Sequence, residues 1–284
     1  MKQAILITAY KQIDQLVNII DFFDDNYTFY IHIDRKSKVN LAPLQSLVGK
    51  KIFVYREYPV YWGGITHLKA ILFLASKALQ NEENSYFHLI TGQDFPAKPL
   101  TYFDKGFDQS KDYIRINEMP RKEWPLNGGM DRIDYYNPYD WVNAKQIVRW
   151  MNLLVRIQKI FKLKRSYPPE FPKLYAGSTW WSLTRNTLQY VIDYTHNNPM
   201  IINRMKYTFC SEEMYFQTII QNSPCAQNVV DDNLRYIDWV SGRGGKPAFL
   251  DSNDFPEITA SNKLFARKFT PNVMIQFEKF LNPK

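Results

Sequence analysis

Short apolar runs alternate with amphipathic ones along the first third of the chain. Residues 4–8, 28–33, 51–55 and 86–91 are apolar stretches bounded by polar turns, the signature of buried strands. Between them, residues 12–23 and 66–79 carry apolar side chains at helical spacing, with Leu68, Ile71, Leu72, Ala75 and Leu79 on one face. Strand–helix alternation predicts an α/β fold, a mainly parallel, Rossmann-like sheet flanked by helices and joined by right-handed crossovers. Ligands in such sheets bind outside the carboxyl ends of the strands, so the residues just after each strand deserve the closest inspection.

Residues 118–172 break the alternation. Met119-Pro120, Trp124-Pro125, Asn127-Gly128-Gly129 and Tyr135-Tyr136-Asn137-Pro138 are turn and loop signals. A long loop inside a compact domain is usually functional or disordered, and this one is rich in aromatic and charged residues. Regular elements resume at 177–183, with helices predicted near 186–197 and 212–221 and a strand at 234–239. There is no internal repeat.

Composition narrows the class. A chain of 284 residues can bury one large α/β domain, and 16% aromatic residues lean toward a cleft that stacks on sugar rings. Cys210 and Cys225 are too few for a disulfide framework and match no zinc or redox spacing, so both are expected to be reduced. The sequence has no signal-peptide pattern and no stretch near the roughly 20 apolar residues that cross a bilayer. A cytoplasmic location is therefore expected. The net charge of +8 is concentrated: residues 144–173 hold eight Lys and Arg against the single acid Glu170.

Four stretches hold candidate chemistry. After the strand ending at Ile33, Asp34, Arg35 and Lys36 put a carboxylate and two cations at a sheet edge, suited to a ribose or uracil edge and to phosphate, or simply to capping a turn. His32 reads as a core residue. Gly63 and Gly64 open a helix where a backbone could approach phosphate, although glycine pairs are common. Asp94 lies in the polar turn after residues 86–91, where many sugar-nucleotide transferases carry an Asp-x-Asp metal site. No Asp-x-Asp occurs in the chain, so no metal site is assigned and Lys or Arg must neutralise a departing diphosphate. Ser211-Glu212-Glu213 looks like a capped helix start, with acids suited to the helix dipole. A carboxylate at an element terminus facing a cleft also suits a general base.

Taken together these stretches resemble the core-2/I-branching β-1,6-N-acetylglucosaminyltransferase family, which also contains the peptide O-xylosyltransferases. The resemblance runs through most of the chain on His32-Ile33-Asp34-Arg35-Lys36, Val60-Tyr61-Trp62-Gly63-Gly64, Phe87-His88-Leu89-Ile90-Thr91-Gly92-Gln93-Asp94-Phe95-Pro96, Gly177-Ser178-Thr179-Trp180-Trp181, Ser211-Glu212-Glu213, Leu234-Arg235-Tyr236-Ile237-Asp238-Trp239 and Leu264-Phe265-Ala266-Arg267-Lys268-Phe269. It implies a GT-A type fold and an inverting, metal-independent transferase that uses a UDP-sugar. By that resemblance Glu213 is the catalytic base and Lys268 holds the diphosphate. Trp239 stacks on the acceptor, with Glu118 and Arg132 as further acceptor contacts. A second diphosphate-binding cation is either Arg243 or Lys246. Asp34, Lys36, Gly63 and Asp94 fall on the donor side. One domain, 1–284, is expected, with a nucleotide-binding half at 1–116 and an acceptor-binding, catalytic half at 117–284. Lacking the signal anchor and most cysteines of Golgi-resident relatives, the chain fits a bacterial cytoplasmic enzyme of surface-polysaccharide assembly.

Two other classes fit less well. The presence of Glu213 together with Lys268 argues against a nucleotide-sugar or carbohydrate-binding protein that lost catalysis, and a basic membrane or nucleic-acid adaptor built around residues 144–173 lacks the recognisable module or base-stacking stripe of nucleic-acid binders. No nucleic-acid partner is expected. The segment 141–165 alternates apolar residues with Lys145, Arg149, Arg156, Lys159, Lys162, Lys164 and Arg165. That composition suits either an in-plane helix on an anionic membrane, with a glycan or lipid-linked glycan as acceptor, or a helix packed on the sheet with a solvated basic face.

Overall fold

A computed structural model describes residues 2–47, 49–142 and 144–282; the side chains of Ala144, Lys145, Gln146 and Val148 also lie outside the described set. In chain order the strands are β1 (Lys2–Ala9), β2 (Tyr27–Ile33), β3 (Lys51–Tyr55), β4 (Asn84–Thr91), β5 (Asp94–Pro96), β6 (Asp112–Ile114), β7 (Asn117–Glu118), β8 (Tyr175–Ala176), β9 (Trp181–Thr184), β10 (Val229–Val230), β11 (Arg235–Ile237) and β12 (Phe265–Arg267). Seven of them form one sheet in the order β10-β6-β9-β4-β1-β2-β3. β1 pairs in parallel with β2 and β4, β2 with β3, and β6 with β10; β9 runs antiparallel to its neighbours β4 and β6.

Residues 4–7 of β1 are apolar without a break because both faces of the strand are covered. Ala4 and Leu6 point into a core shared with the helix Ile65–Leu79, Trp181 and Phe216, whereas Ile5 and Ile7 point into one shared with the helices Ile13–Asp21 and Pro271–Leu281. The helix Ile65–Leu79 shows the expected stripe: Leu68, Ile71, Ala75 and Leu79 are buried, and Leu72 is partly so. His88, at the centre of β4, is fully buried and bonded to Ser182 Oγ and Gln3 Oε1, each at 2.8 Å. The sheet draws strands from both halves of the chain, which are therefore built around common cores.

Three details bear on the expectations. Residues 118–172 are not one long loop, and within them the stretch 141–165, whose composition suits a helix, forms the 17-residue helix Ala144–Ile160. Ser211 caps nothing: its Oγ is buried without a partner, Cys210 before it is left-handed (φ 52°), and Ser211–Glu213 forms a separate 3₁₀ turn ahead of the helix Tyr215–Gln221. The acids therefore owe nothing to the first turn of an α-helix. Not all the cations of 141–165 face solvent. Arg165 is buried and donates to the carbonyls of Ile133, Arg204 and Lys206, while Lys159 and Lys164 pair with Asp131 (2.5 Å) and Asp134 (3.0 Å). A guanidinium that satisfies loop carbonyls has lost its hydration, so Arg165 cannot serve as a surface cation. The Lys145 side chain lies outside the described residues.

Candidate functional site

A cleft of about 1320 Å³ opens where the parallel strands end. Its floor is made by Thr8, Ala9 and Tyr10 at the end of β1, Asp34 just after β2, and Thr91, Gly92 and Gln93 at the end of β4. This is the place that strand order and crossover handedness assign to a ligand. The opposite wall comes from Arg132, Gly177–Trp180 and Glu212–Glu213, and a third side from Trp239, Lys246, Arg267 and Lys268. Nine Lys and Arg line the cleft against four Asp and Glu, a surplus that favours an anionic ligand.

Glu213 sits on the 3₁₀ turn described above, with 35% of its side chain exposed to the cleft. Its Oε2 accepts from Arg132 Nη2 at 2.8 Å, and Oε1 accepts no hydrogen bond among the described residues. Arg132 is fixed in turn, donating from Nε to the Phe209 carbonyl (3.0 Å) and from Nη2 to the Cys210 carbonyl (2.9 Å). Burial pushes the Glu213 carboxyl above its ordinary range and the neighbouring Glu212 adds to this, while Arg132 works in the opposite direction. The result is a carboxylate with one oxygen anchored and the other available, the arrangement a general base requires.

Two glycines hold this turn in place. Gly63 (φ 89°) accepts from the Cys210 N–H through its carbonyl at 2.8 Å. Gly177 donates to the Glu213 carbonyl at 2.8 Å, and a Cβ on Gly177 would stand 1.8 Å from the Arg115 carbonyl oxygen. Any side chain at Gly177 would therefore push it away from the Arg115 backbone.

The remaining predicted residues divide. Lys246, Lys268, Trp239 and Asp34 lie on the cleft wall with Glu213 and Arg132. Asp34 accepts from Lys36 Nζ (3.0 Å) and Val60 N–H (3.1 Å); Lys36 is off the wall, stacked over Tyr61 at 4.0 Å. Lys268 lies over the Phe249 ring at 4.2 Å. Asp94 is wholly buried beneath the floor, accepting from Thr91 N–H at 2.6 Å and pairing with Arg267 at 3.3 Å. Burial raises its pKa, and Arg267 opposes that. It orders the floor without lining it. Arg243 is bound by Asp238, Asp251 and Asp254 outside the cleft, so of the two alternatives the geometry puts Lys246 at the wall. Glu118 is likewise outside, exposed and paired with Lys173 at 2.8 Å. His32 is buried, accepts from the Tyr58 N–H at 3.0 Å, and has its pKa lowered by burial to about 4.

Sequence reasoning missed a second layer. His67 Nδ1 lies 3.3 Å from Glu212 Oε1, and its Nε2 lies 3.3 Å from Thr8 Oγ1, which ties the turn holding Glu213 to the end of β1. A histidine in the first turn of an otherwise apolar helix was the available signal. Arg267 stacks on Trp180 at 4.2 Å, joining the third side of the cleft to the wall that carries Glu213. Among the described residues, no three His, Cys, Asp or Glu side chains gather at metal-binding spacing.

The family profile described as Core-2/I-Branching enzyme matches residues 4–260, spanning the floor, Arg132, the Glu213 turn and Trp239. The chain belongs to the Core-2/I-Branching enzyme family. Among curated proteins it is similar to a xylosyltransferase of Ciona intestinalis, 24% identical over 292 residues, covering 93% of this chain and 31% of that protein. Xylosyltransferase 2 of Rattus norvegicus is 23% identical with the same two coverages, and the xylosyltransferase oxt of Drosophila melanogaster is 22% identical over 96% of this chain and 32% of its own length. The chain thus spans about a third of the length of these relatives.

Proposed function

We propose that this member of the family is a glycosyltransferase that moves a sugar, GlcNAc or xylose, from a UDP-sugar to a hydroxyl of a glycan or lipid-linked glycan, with inversion at the anomeric carbon. The observation that carries the reading is Glu213: its carboxylate is anchored on one side by Arg132 and open on the other to a cation-lined cleft at the carboxyl ends of the strands. Family membership and the xylosyltransferase relatives support the same reaction class.

In this reading the acceptor hydroxyl gives its proton to Glu213 Oε1 as its oxygen forms the bond to the anomeric carbon. The bond from that carbon to the diphosphate oxygen breaks with its electron pair, and the charge left on UDP is met by Lys268 and Lys246. Those cations supply what a divalent ion supplies in other transferases, so no metal is required. Trp239 offers an exposed ring at the rim for the acceptor sugar.

The test is a panel of UDP-sugars with glycan acceptors, read by UDP release and by the anomeric configuration of the product, with and without EDTA. Transfer with inversion from one donor, undiminished by EDTA, is expected. Activity abolished by EDTA and restored by manganese would overturn the metal-free step. UDP binding without transfer would identify a binding protein of the same fold.

A further inference from the structure

The helix Ala144–Ile160 divides lengthwise into three sectors. Its inner sector, Met151, Leu154, Val155 and Gln158, packs inward, and the Gln158 amide both donates to and accepts from the backbone of Tyr136 (3.0 and 2.8 Å). Trp150, Leu153, Ile157 and Ile160 follow at helical spacing and are exposed, Trp150 at 70% and Ile160 at 75%. Phe161 and Leu163 extend this stripe past the end of the helix, both exposed. Beside it run the exposed Arg149 and Arg156, with Lys162 just beyond the last turn. Among the described residues these three form no ion pair, in contrast to Lys159 and Lys164, which are held by Asp131 and Asp134.

A helix on the surface of a soluble domain turns polar residues outward, and single exposed apolar side chains are ordinary. A continuous apolar stripe with a cationic border on one side is a different object. It is the pattern of a helix that lies in the plane of a bilayer interface, rings and aliphatic chains below the headgroups, guanidinium and ammonium groups among the phosphates. At about 1.5 Å per residue the helix is about 25 Å long, and no helix of the described residues is long and apolar enough to cross a membrane.

We infer that this face docks on an anionic phospholipid surface. Charge selects that occupant. No acid occurs anywhere from Trp141 to Arg165, so the patch is complementary to a negative plane. A second copy of the chain would bring a second set of the same cations to the interface, with no acid in 141–165 to pair with them. Position supports the same conclusion: Lys159 and Lys164 grip Asp131 and Asp134, the first and last residues of the short helix that carries Arg132. The helix that bears the docking face is thereby tied to the short helix that carries Arg132, the residue that anchors Glu213. Docking itself is independent of the reaction proposed above and is measured without donor or acceptor.

The experiment is sedimentation of the full chain with vesicles of phosphatidylcholine alone and of phosphatidylcholine carrying phosphatidylglycerol, at low and high salt. Binding to the anionic vesicles at low salt, weakened by salt and absent on phosphatidylcholine, is expected. The exposed triple variant R149Q/R156Q/K162Q should lose partitioning by about fivefold per charge, on the order of a hundredfold in all. W150S/I157S, which leaves every charge in place, should abolish binding even at low salt, with the circular dichroism of both variants unchanged. No binding to anionic vesicles at low salt, or binding indifferent to both variants, would overturn the inference. So would a dimer in gel filtration that W150S/I157S dissociates, because a second copy would then cover the stripe.

Discussion

Arg132 and Arg243 are both held by carboxylates, yet they belong to regions built for different ends. Around Arg243, Ser241, Asp238, Asp251 and Asp254 occupy all three guanidinium nitrogens and knot the segment 238–254 together. Hydrogen bonds donated to Asp254 and Asp251 raise its pKa, so it stays cationic with little capacity left for a ligand. Around Arg132 the partners are two backbone carbonyls and one carboxylate, and that carboxylate keeps an open oxygen toward the cleft. The same ion-pair chemistry therefore staples a loop in one place and presents a reactive group in the other. What separates them is how many acceptors surround the guanidinium and whether the paired acid still faces solvent.

The sharpest test removes the acid from the second region. Glu213→Gln should reduce turnover by about 10² or more while leaving the melting temperature and UDP affinity intact. Near-normal turnover would show that Glu213 is merely another staple. On the donor side, Lys268→Ala should weaken UDP binding by about 2 kcal/mol, the scale of a lost charge-assisted contact, as measured by calorimetry. An unchanged affinity would move the diphosphate elsewhere.

A pH profile resolves the role of Arg132. Burial raises the Glu213 pKa and Arg132 opposes it, and the base works only when ionised, so activity falls as pH drops through that pKa. Arg132→Gln removes the opposing cation, and the acid limb of the rate profile should move to higher pH by about one unit or more. A limb that stayed in place would mean that Arg132 does not tune the base. The smallest functional effect is expected from Arg243→Gln: a lower melting temperature with UDP affinity unchanged. A loss of UDP affinity at constant stability would return Arg243 to the donor site.

Much of this contrast was invisible in the sequence. The strands were legible because burial on both faces of β1 and β4 forces a continuous apolar run. Glu213, Lys268 and Trp239 were reached through motifs, and the fold brings all three to one cleft. The partners were not legible, because they come from distant segments: Arg132 is 81 residues from Glu213, and His67 is 145 from Glu212. The same holds for Asp94, whose place beneath the floor depends on Arg267, and for Glu118, which pairs outside the cleft with Lys173. The 3₁₀ turn was masked by a Ser-Glu-Glu string that mimics a capped helix; the left-handed Cys210 that reshapes it leaves no mark in the sequence pattern.

The small sheet β11-β12-β5 carries a consequence for how such a site could diversify. Ile237 of β11 stands opposite Arg267 of β12, and Arg267 opposite Asp94 of β5, so Trp239 and Lys268 leave neighbouring strands at fixed positions. Sliding β12 by a single residue against β11 and β5 would break the pairing of Arg267 with Asp94 and carry Lys268, just past the end of the strand, out of its place on the cleft wall. Insertions within residues 261–267 should therefore be lethal to donor binding. The stretch 238–249 lies outside the ladder but carries Lys246 as well as Trp239, so length changes there would remodel the acceptor rim and the proposed second diphosphate cation together while Lys268 keeps its station.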